Sequence, residues 1–311
     1  MLWSKSIFML FEVYDYALKQ REKIISKVRN ARDMLEDARR RWVEYEPLQE
    51  RRSIAGVDSS FNYIVYKGFY LYAIAGVSIT SDGSFLAQPK MEVDAANLPQ
   101  AQEKVGYDYD GNGNEVSIDD KGFISPRNEL LAKCIGVEHD LAIKSMDKAD
   151  YILIDGSLLA RFYDRRNRRF VAVYEYAKEL MKSSKVLFIA KTSASNAILK
   201  GNLADIYYFS RATLNAGYIL SVQKAGNDDI TVVYARLKQC TPILKVEMPG
   251  ERSEQEVRDI LNMLYPESIS GYPYVLRLAH ERCKISNDDM LKLADLLGLS
   301  IEEGGRDVLN E

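Results

Sequence analysis

Cysteine and histidine are scarce in this 311-residue chain, with three of the first and two of the second. Cys134, Cys240 and Cys283 are odd in number, far apart and without CxxC spacing, so neither a disulfide framework nor a zinc site is written here and a reducing cytoplasm is the expected location. Long apolar runs are missing too, since no stretch approaches the ~20 residues that span a bilayer. The opening "MLWSKSIFMLFEVYD" has a short apolar core with acidic residues where a small-residue cleavage site would lie, which argues against export. An excess of positive charge is also absent: the net charge is -3, so a nucleic-acid role has to rest on local clusters. Neither a Pro/Gly/Ser-rich linker nor an internal repeat divides the chain.

Hydrophobic residues make up 47% of the sequence, enough for a substantial core. Residues 7–45 read as one long helix, its apolar positions Ile24, Val28, Ala31, Leu35, Ala38 and Trp42 forming a heptad seam ended by Pro47. Such a seam packs on a partner helix, across a dimer, or on its own sheet. Strand candidates at 53–61, 69–79 and 84–93, joined by turns at Lys67-Gly68 and Asp82-Gly83, form an antiparallel meander. Ser125 as cap and Pro126 at the first position open a helix running to about Met146. A buried strand "ADYILIDGS", a helix over about 165–183 and a strand "KVLFIAKTS" then alternate as parallel strands with helical crossovers do. "DIYYFSRA", "YILSVQKAG", "ITVVYARL" and "ILKVEM" read as further strands. Helices at 253–265, 273–283 and "SNDDMLKLADLLG" close the chain.

The fold class is therefore α/β: a ribonuclease H-like mixed sheet with flanking helices and a long N-terminal helix. In that fold an acid on the first strand meets one at the end of the fourth. Asp58, in "IAGVDSSFN", and Asp155, in "YILIDGS", occupy those places. Taken alone, Asp58 is equally a turn aspartate bonded to its own backbone, and Asp155 a strand-end cap. Together with Glu129 on the crossover helix and His280 late in the chain, they form a set suited to Mg²⁺ or Mn²⁺, which favour oxygen ligands. Paired ions would activate a water and orient a phosphodiester. Lys191, followed by Thr192, Ser193 and Ser195, could meet a phosphate.

Phe61 and Tyr63 could stack on unpaired bases, or pack the hairpin core. Two arginine clusters, 39–41 with 51–52 and "RFYDRRNRRF" (161–170), could guide a strand or simply form solvated faces. In the second, Arg161, Arg165 and Arg166 are the DNA-binding candidates. The loop "GYDYDGNGNEVSIDDKG" mimics EF-hand spacing, yet Asp119 stands where the bidentate Glu belongs and no helix leads in, so it reads as a flexible acidic loop.

"IAGVDSSFN", "SPRNELLAK", "YILIDGSLL", "FIAKTSAS" and "GYPYVLRLAHE", in this order and spacing, resemble the NurA nucleases, archaeal and bacterial DNA-end-processing enzymes. The resemblance covers nearly the whole chain. It implies a toroidal homodimer, Mn²⁺-dependent 5′ to 3′ exonuclease and single-strand endonuclease activity on DNA ends, and partnership with the hexameric HerA translocase in recombinational repair. It implies residues 1–50 as a helical region for dimer or partner packing and 51–311 as the nuclease domain. Asp58, Glu129 and Asp155 match the family's acidic metal ligands, His280 its C-terminal histidine and Lys191 a basic residue near the site. Glu138 and Asp140, further along the same helix, are the alternatives to Glu129.

Two rivals differ in class. An actin-like sugar kinase or ATPase would need a Gly-rich phosphate loop and a late adenosine-binding glycine motif, neither of which is evident. A dimeric adaptor docking a DNA translocase would keep the fold and cut nothing.

Overall fold

The computed structural model of the chain describes residues 11–29, 32–98, 126–162 and 171–302. Among these residues nine strands form one mixed sheet. They are β1 (Val43–Glu44), β2 (Ile54–Val65), β3 (Phe69–Thr80), β4 (Lys90–Asn97), β5 (Tyr151–Asp155), β6 (Val186–Ala190), β7 (Gly217–Ala225), β8 (Asp228–Arg236) and β9 (Leu244–Pro249). Their spatial order is β1-β7-β8-β9-β6-β5-β2-β3-β4. The β2–β5 and β5–β6 pairs are parallel and every other pair is antiparallel, as the expected meander followed by crossovers requires.

Helices cover both faces. On one side lie α2 (Arg32–Arg41), α3 (Arg127–Ser145), α4 (Leu158–Phe162), α5 (Val171–Leu180) and α6 (Asp205–Ala212), burying residues such as Ala38, Leu141, Leu158, Ala177 and Phe209 against the sheet. On the other lie α7 (Glu254–Glu267), α8 (Tyr274–Cys283) and α9 (Asn287–Leu296). The last opens on a capping box in which Ser286 and Asp289 satisfy each other's backbone N–H groups.

Three expectations change. The N-terminal helical stretch is described as α1 (Phe11–Arg29) and α2, and it stops at Arg41 rather than running to 45. Trp42 is buried against Phe209, and Val43 and Glu44 become an edge strand on β7. The second half of the heptad seam, Leu35, Ala38 and Trp42, therefore packs on this chain's own core.

"DIYYFSRA" is a helix, not a strand. Its buried residues are Asp205, Tyr208, Phe209 and Ala212, the i, i+3, i+4, i+7 stripe of one helical face. Buried Asp205 accepts the N–H groups of Ile198 and Leu199 just before it.

The third change is the last strand of the meander, which begins at Lys90 rather than near 84. Pro89 lacks the N–H a ladder needs, and before it only Phe85 bridges to Ile79. Ser125 and the acidic loop lie outside the described residues.

Candidate active site

Asp58 and Asp155 meet because β2 and β5 are parallel neighbours with Val57 opposite Ile154, the residue before each acid. Alternation along the strands then turns both carboxylates to the α8 face. Asp58 is buried, at 5% exposure, and Asp155 is partly exposed. Gly156 follows with φ +110, a conformation glycine adopts without strain, and lets the chain turn from β5 toward α4.

His280 reaches Asp58 because α8 crosses β2 closely. A Cβ at Gly56 would lie 2.6 Å from the Val275 carbonyl oxygen, so only glycine leaves room for the helix backbone. One turn further on, His280 Nδ1 lies 2.9 Å from Asp58 Oδ2. With Asp58 ionised, Nδ1–H donates and Nε2 stays available on a ring whose side chain is 54% exposed. The Ser59 N–H donates to Asp58 Oδ1. Burial raises the Asp58 pKa, the His280 hydrogen bond opposes that, and the nearby Asp155 charge adds to it.

Lys191, at the end of β6, places Nζ 3.8 Å from Asp155 Oδ2 and 3.9 Å from the centre of the Tyr272 ring. Tyr272 precedes α8. Its phenol is pushed upward by burial and then by the Asp155 charge. The residue stands inside "GYPYVLRLAHE", but nothing in its own sequence neighbourhood distinguishes it from a core tyrosine.

On the opposite face of β2, Ser59 bonds Glu138 of α3, its Oγ donating to Oε1 at 2.8 Å. Arg161 Nη2 donates to Glu138 Oε2 at 2.6 Å. Burial raises the Glu138 pKa, Arg161 opposes it and the Asp58 charge adds to it, so the two acids sense each other across the strand. Glu129 stands apart: it is exposed on the first turn of α3, nine residues and roughly 13 Å of helix from Glu138. Of the three helix acids, Glu138 is the one linked to Asp58 through Ser59, while Asp140 pairs with Lys90.

The strand-binding candidates are dispersed. Phe61 and Tyr63 stack at 6.4 Å and pack with Tyr70, Tyr72 and Leu130 on the α3 face, away from His280. Arg161, a DNA-binding candidate on its sequence, is buried and paired with Glu138. Arg165 and Arg166 lie outside the described residues. In the other cluster Arg39 bonds the Ala212 carbonyl and Arg41 pairs with Asp37.

Among the described residues no group of three or more His, Cys, Asp or Glu side chains is gathered ready to hold a metal. What the site offers is a pair of adjacent carboxylates, one buried, whose mutual repulsion a cation would relieve. That oxygen-rich donor set fits a hard divalent ion.

Fold and site together define a mixed α/β protein with an acid-lined centre where the parallel pairing of β2 and β5 ends. The chain belongs to the NurA domain family, whose model matches residues 52–285. It is 24% identical over 344 aligned positions to a protein of Sulfurisphaera tokodaii named DNA double-strand break repair nuclease NurA, covering 94% of this chain and 96% of the relative. The crystal structure of the NurA nuclease from Sulfolobus solfataricus superposes with a TM-score of 0.74 at 18% identity, covering 93% of this chain and 97% of that one. A crystal structure of NurA bound to dAMP and manganese superposes at 0.60 with 12% identity, covering 93% and 96%. At these identities the superpositions establish a shared fold.

Proposed function

We propose that the chain is a divalent-metal-dependent DNA nuclease acting in double-strand break repair. The observation that carries this reading is the meeting of Asp58 and Asp155 just past the Val57–Ile154 end of the parallel β2–β5 ladder, with His280 on the first acid and Lys191 beside the second. Family membership, and relatives named as repair nucleases, support it.

Asp58 and Asp155 would hold Mn²⁺ or Mg²⁺, with Glu138 behind them through Ser59. When bound, the ion supplies Lewis acidity for phosphodiester hydrolysis and lowers the pKa of water. His280 fixes the Asp58 carboxylate through Nδ1 and can exchange a proton at Nε2. Lys191 contributes a positive charge where a DNA phosphate would approach Asp155.

The finer reading rests on the family resemblance read from the sequence motifs. It comprises 5′ to 3′ trimming of DNA ends with single-strand cutting, a homodimer, and action beside a HerA-type hexameric ATPase. Purified protein should release nucleotides from end-labelled duplex and cut single-stranded DNA when Mn²⁺ or Mg²⁺ is added, and not in EDTA. Absence of cleavage with either ion would leave the adaptor reading in its place.

A further inference from the structure

We propose that α4 is a positioning bracket for the acidic centre and that Arg161 acts through Glu138 rather than on the DNA strand; this rests on the nuclease reading above. The bracket begins immediately after Asp155. Glu247 of β9, fully buried, accepts hydrogen bonds from Ser157 Oγ at 2.9 and 3.0 Å and from the Leu159 N–H at 2.9 Å, so it clamps the start of α4. Lys245, also buried, holds Glu247 at 2.5 Å and balances its charge. At the other end of the same helix the Arg161 side chain, only 6% exposed, donates to Glu138 and lies 4.8 Å over the Phe188 ring.

Five residues thus connect the turn that carries Asp155 to the guanidinium that fixes Glu138. Ser59 takes the other Glu138 oxygen, and its own N–H binds Asp58. Both Glu138 oxygens are therefore committed to fixed donors, and α4 joins the Lys245–Glu247 cluster at its start to the Arg161–Glu138–Ser59 cluster beside Asp58 at its end. Partners of this kind orient the carboxylates of a metal centre, and their loss commonly costs 10–100-fold in affinity or activity.

The test compares wild type, Arg161→Met, Arg161→Lys, Glu138→Gln and the Arg161→Met/Glu138→Gln pair. Each is checked for folding by circular dichroism and thermal melting. Mn²⁺ binding to the metal-free protein is followed by calorimetry, and DNA cleavage by kcat, KM and salt dependence. Arg161→Met should weaken Mn²⁺ binding and lower kcat, each by about tenfold, with KM for DNA and its salt slope unchanged. Arg161→Lys should recover part of the loss. The pair should behave like Glu138→Gln alone.

Unchanged or tighter Mn²⁺ binding in Arg161→Met, additive losses in the pair, or a raised KM with a shallower salt slope would overturn the proposal. If Arg161→Met does not fold, Arg161→Lys carries the same Mn²⁺ measurement, and wild-type affinity and kcat in that variant would overturn it. A wild-type protein that binds Mn²⁺ but cleaves no DNA would refute the nuclease reading and not the bracket.

Discussion

His280 Nδ1 and Asp58 Oδ2 lie 2.9 Å apart although 222 residues separate them in the chain. The contact joins α8 to the central strand of the acidic centre. Both the fixed orientation of Asp58 and the supply of an exposed imidazole follow from it. His280→Ala should lower kcat by about 10–100-fold and also lower the melting temperature, because it removes the hydrogen bond that offsets the burial of the Asp58 carboxylate. End-labelled DNA cleavage and a thermal melt, run on the same preparation, check both parts.

Asp58 is a buried acid placed beside another acid, an arrangement that costs stability when no cation is present. Its raised pKa means that the folded state holds the proton more tightly than the unfolded state, so this group contributes less stability once pH rises through its folded pKa. Asp58→Asn should therefore melt at a higher temperature than metal-free wild type at neutral pH, yet lose cleavage by about 100-fold or more. A lower melting temperature together with retained cleavage would contradict both the electrostatic argument and the assignment.

The two glutamates of α3 should separate cleanly. Glu129→Gln, altering an exposed side chain on the first turn, should leave cleavage within about twofold, the scale expected of a surface change. Glu138→Gln should reduce kcat by about tenfold or more through loss of the charge facing Arg161 and Ser59. Equal rates for the two variants would remove the distinction between them.

Gly56 gives a purely steric prediction. An added methyl would meet the Val275 carbonyl oxygen at 2.6 Å and its carbon at 2.8 Å, both backbone atoms of α8. Gly56→Ala should cost about 1–3 kcal/mol in urea denaturation. It should also lower activity by moving His280 off Asp58. Loss of stability with full activity would show that α8 shifts without carrying the histidine away.

Thiol chemistry and alkaline stability share one physical cause. Burial pushes the Cys134 thiol up to about 12, raises Cys283 as well, and pushes the Tyr234 phenol up to about 12. Cys240 is exposed. In the native state a thiol reagent at pH 8 should therefore modify one cysteine promptly, with the other two following only on unfolding. Because these groups stay neutral in the fold, their contribution is fully present below their ordinary values of 9.0 and 10.0 and is lost as pH climbs toward about 12. Unfolding followed between pH 8 and 12 should show stability falling through that window, and Cys134→Ala should make the fall less steep.

Legibility followed the range of the forces involved. The capping box at Ser286, the hairpin from Ile54 to Thr80 and the short apolar strands beside Asp155 and Lys191 are set by neighbours within a few residues, and they stand where the pattern indicates. "DIYYFSRA" misleads because aromatic and β-branched residues favour strands, whereas Tyr208 and Phe209 gain more by burying one helical face beneath the sheet. Residues 42–44 leave their helical pattern because Trp42 finds a pocket and β7 offers an edge.

The sequence by itself determined the meander followed by alternating parallel strands, the placing of Asp58 and Asp155 on neighbouring strands and the late histidine, since strand periodicity and chain order bring the two acids together once the sheet forms. Tertiary structure alone decided that Glu138 is buried behind β2 while Glu129 faces water, that Arg161 is the buried partner of Glu138, and that Tyr272 packs beside Lys191 and Asp155. A charge has the same letter in a helix facing water and in one facing a sheet. Only the packing of α3 against β2 and β5, and of α4 against β9 and β6, fixes which surroundings it meets, and through them its ionisation and its partner.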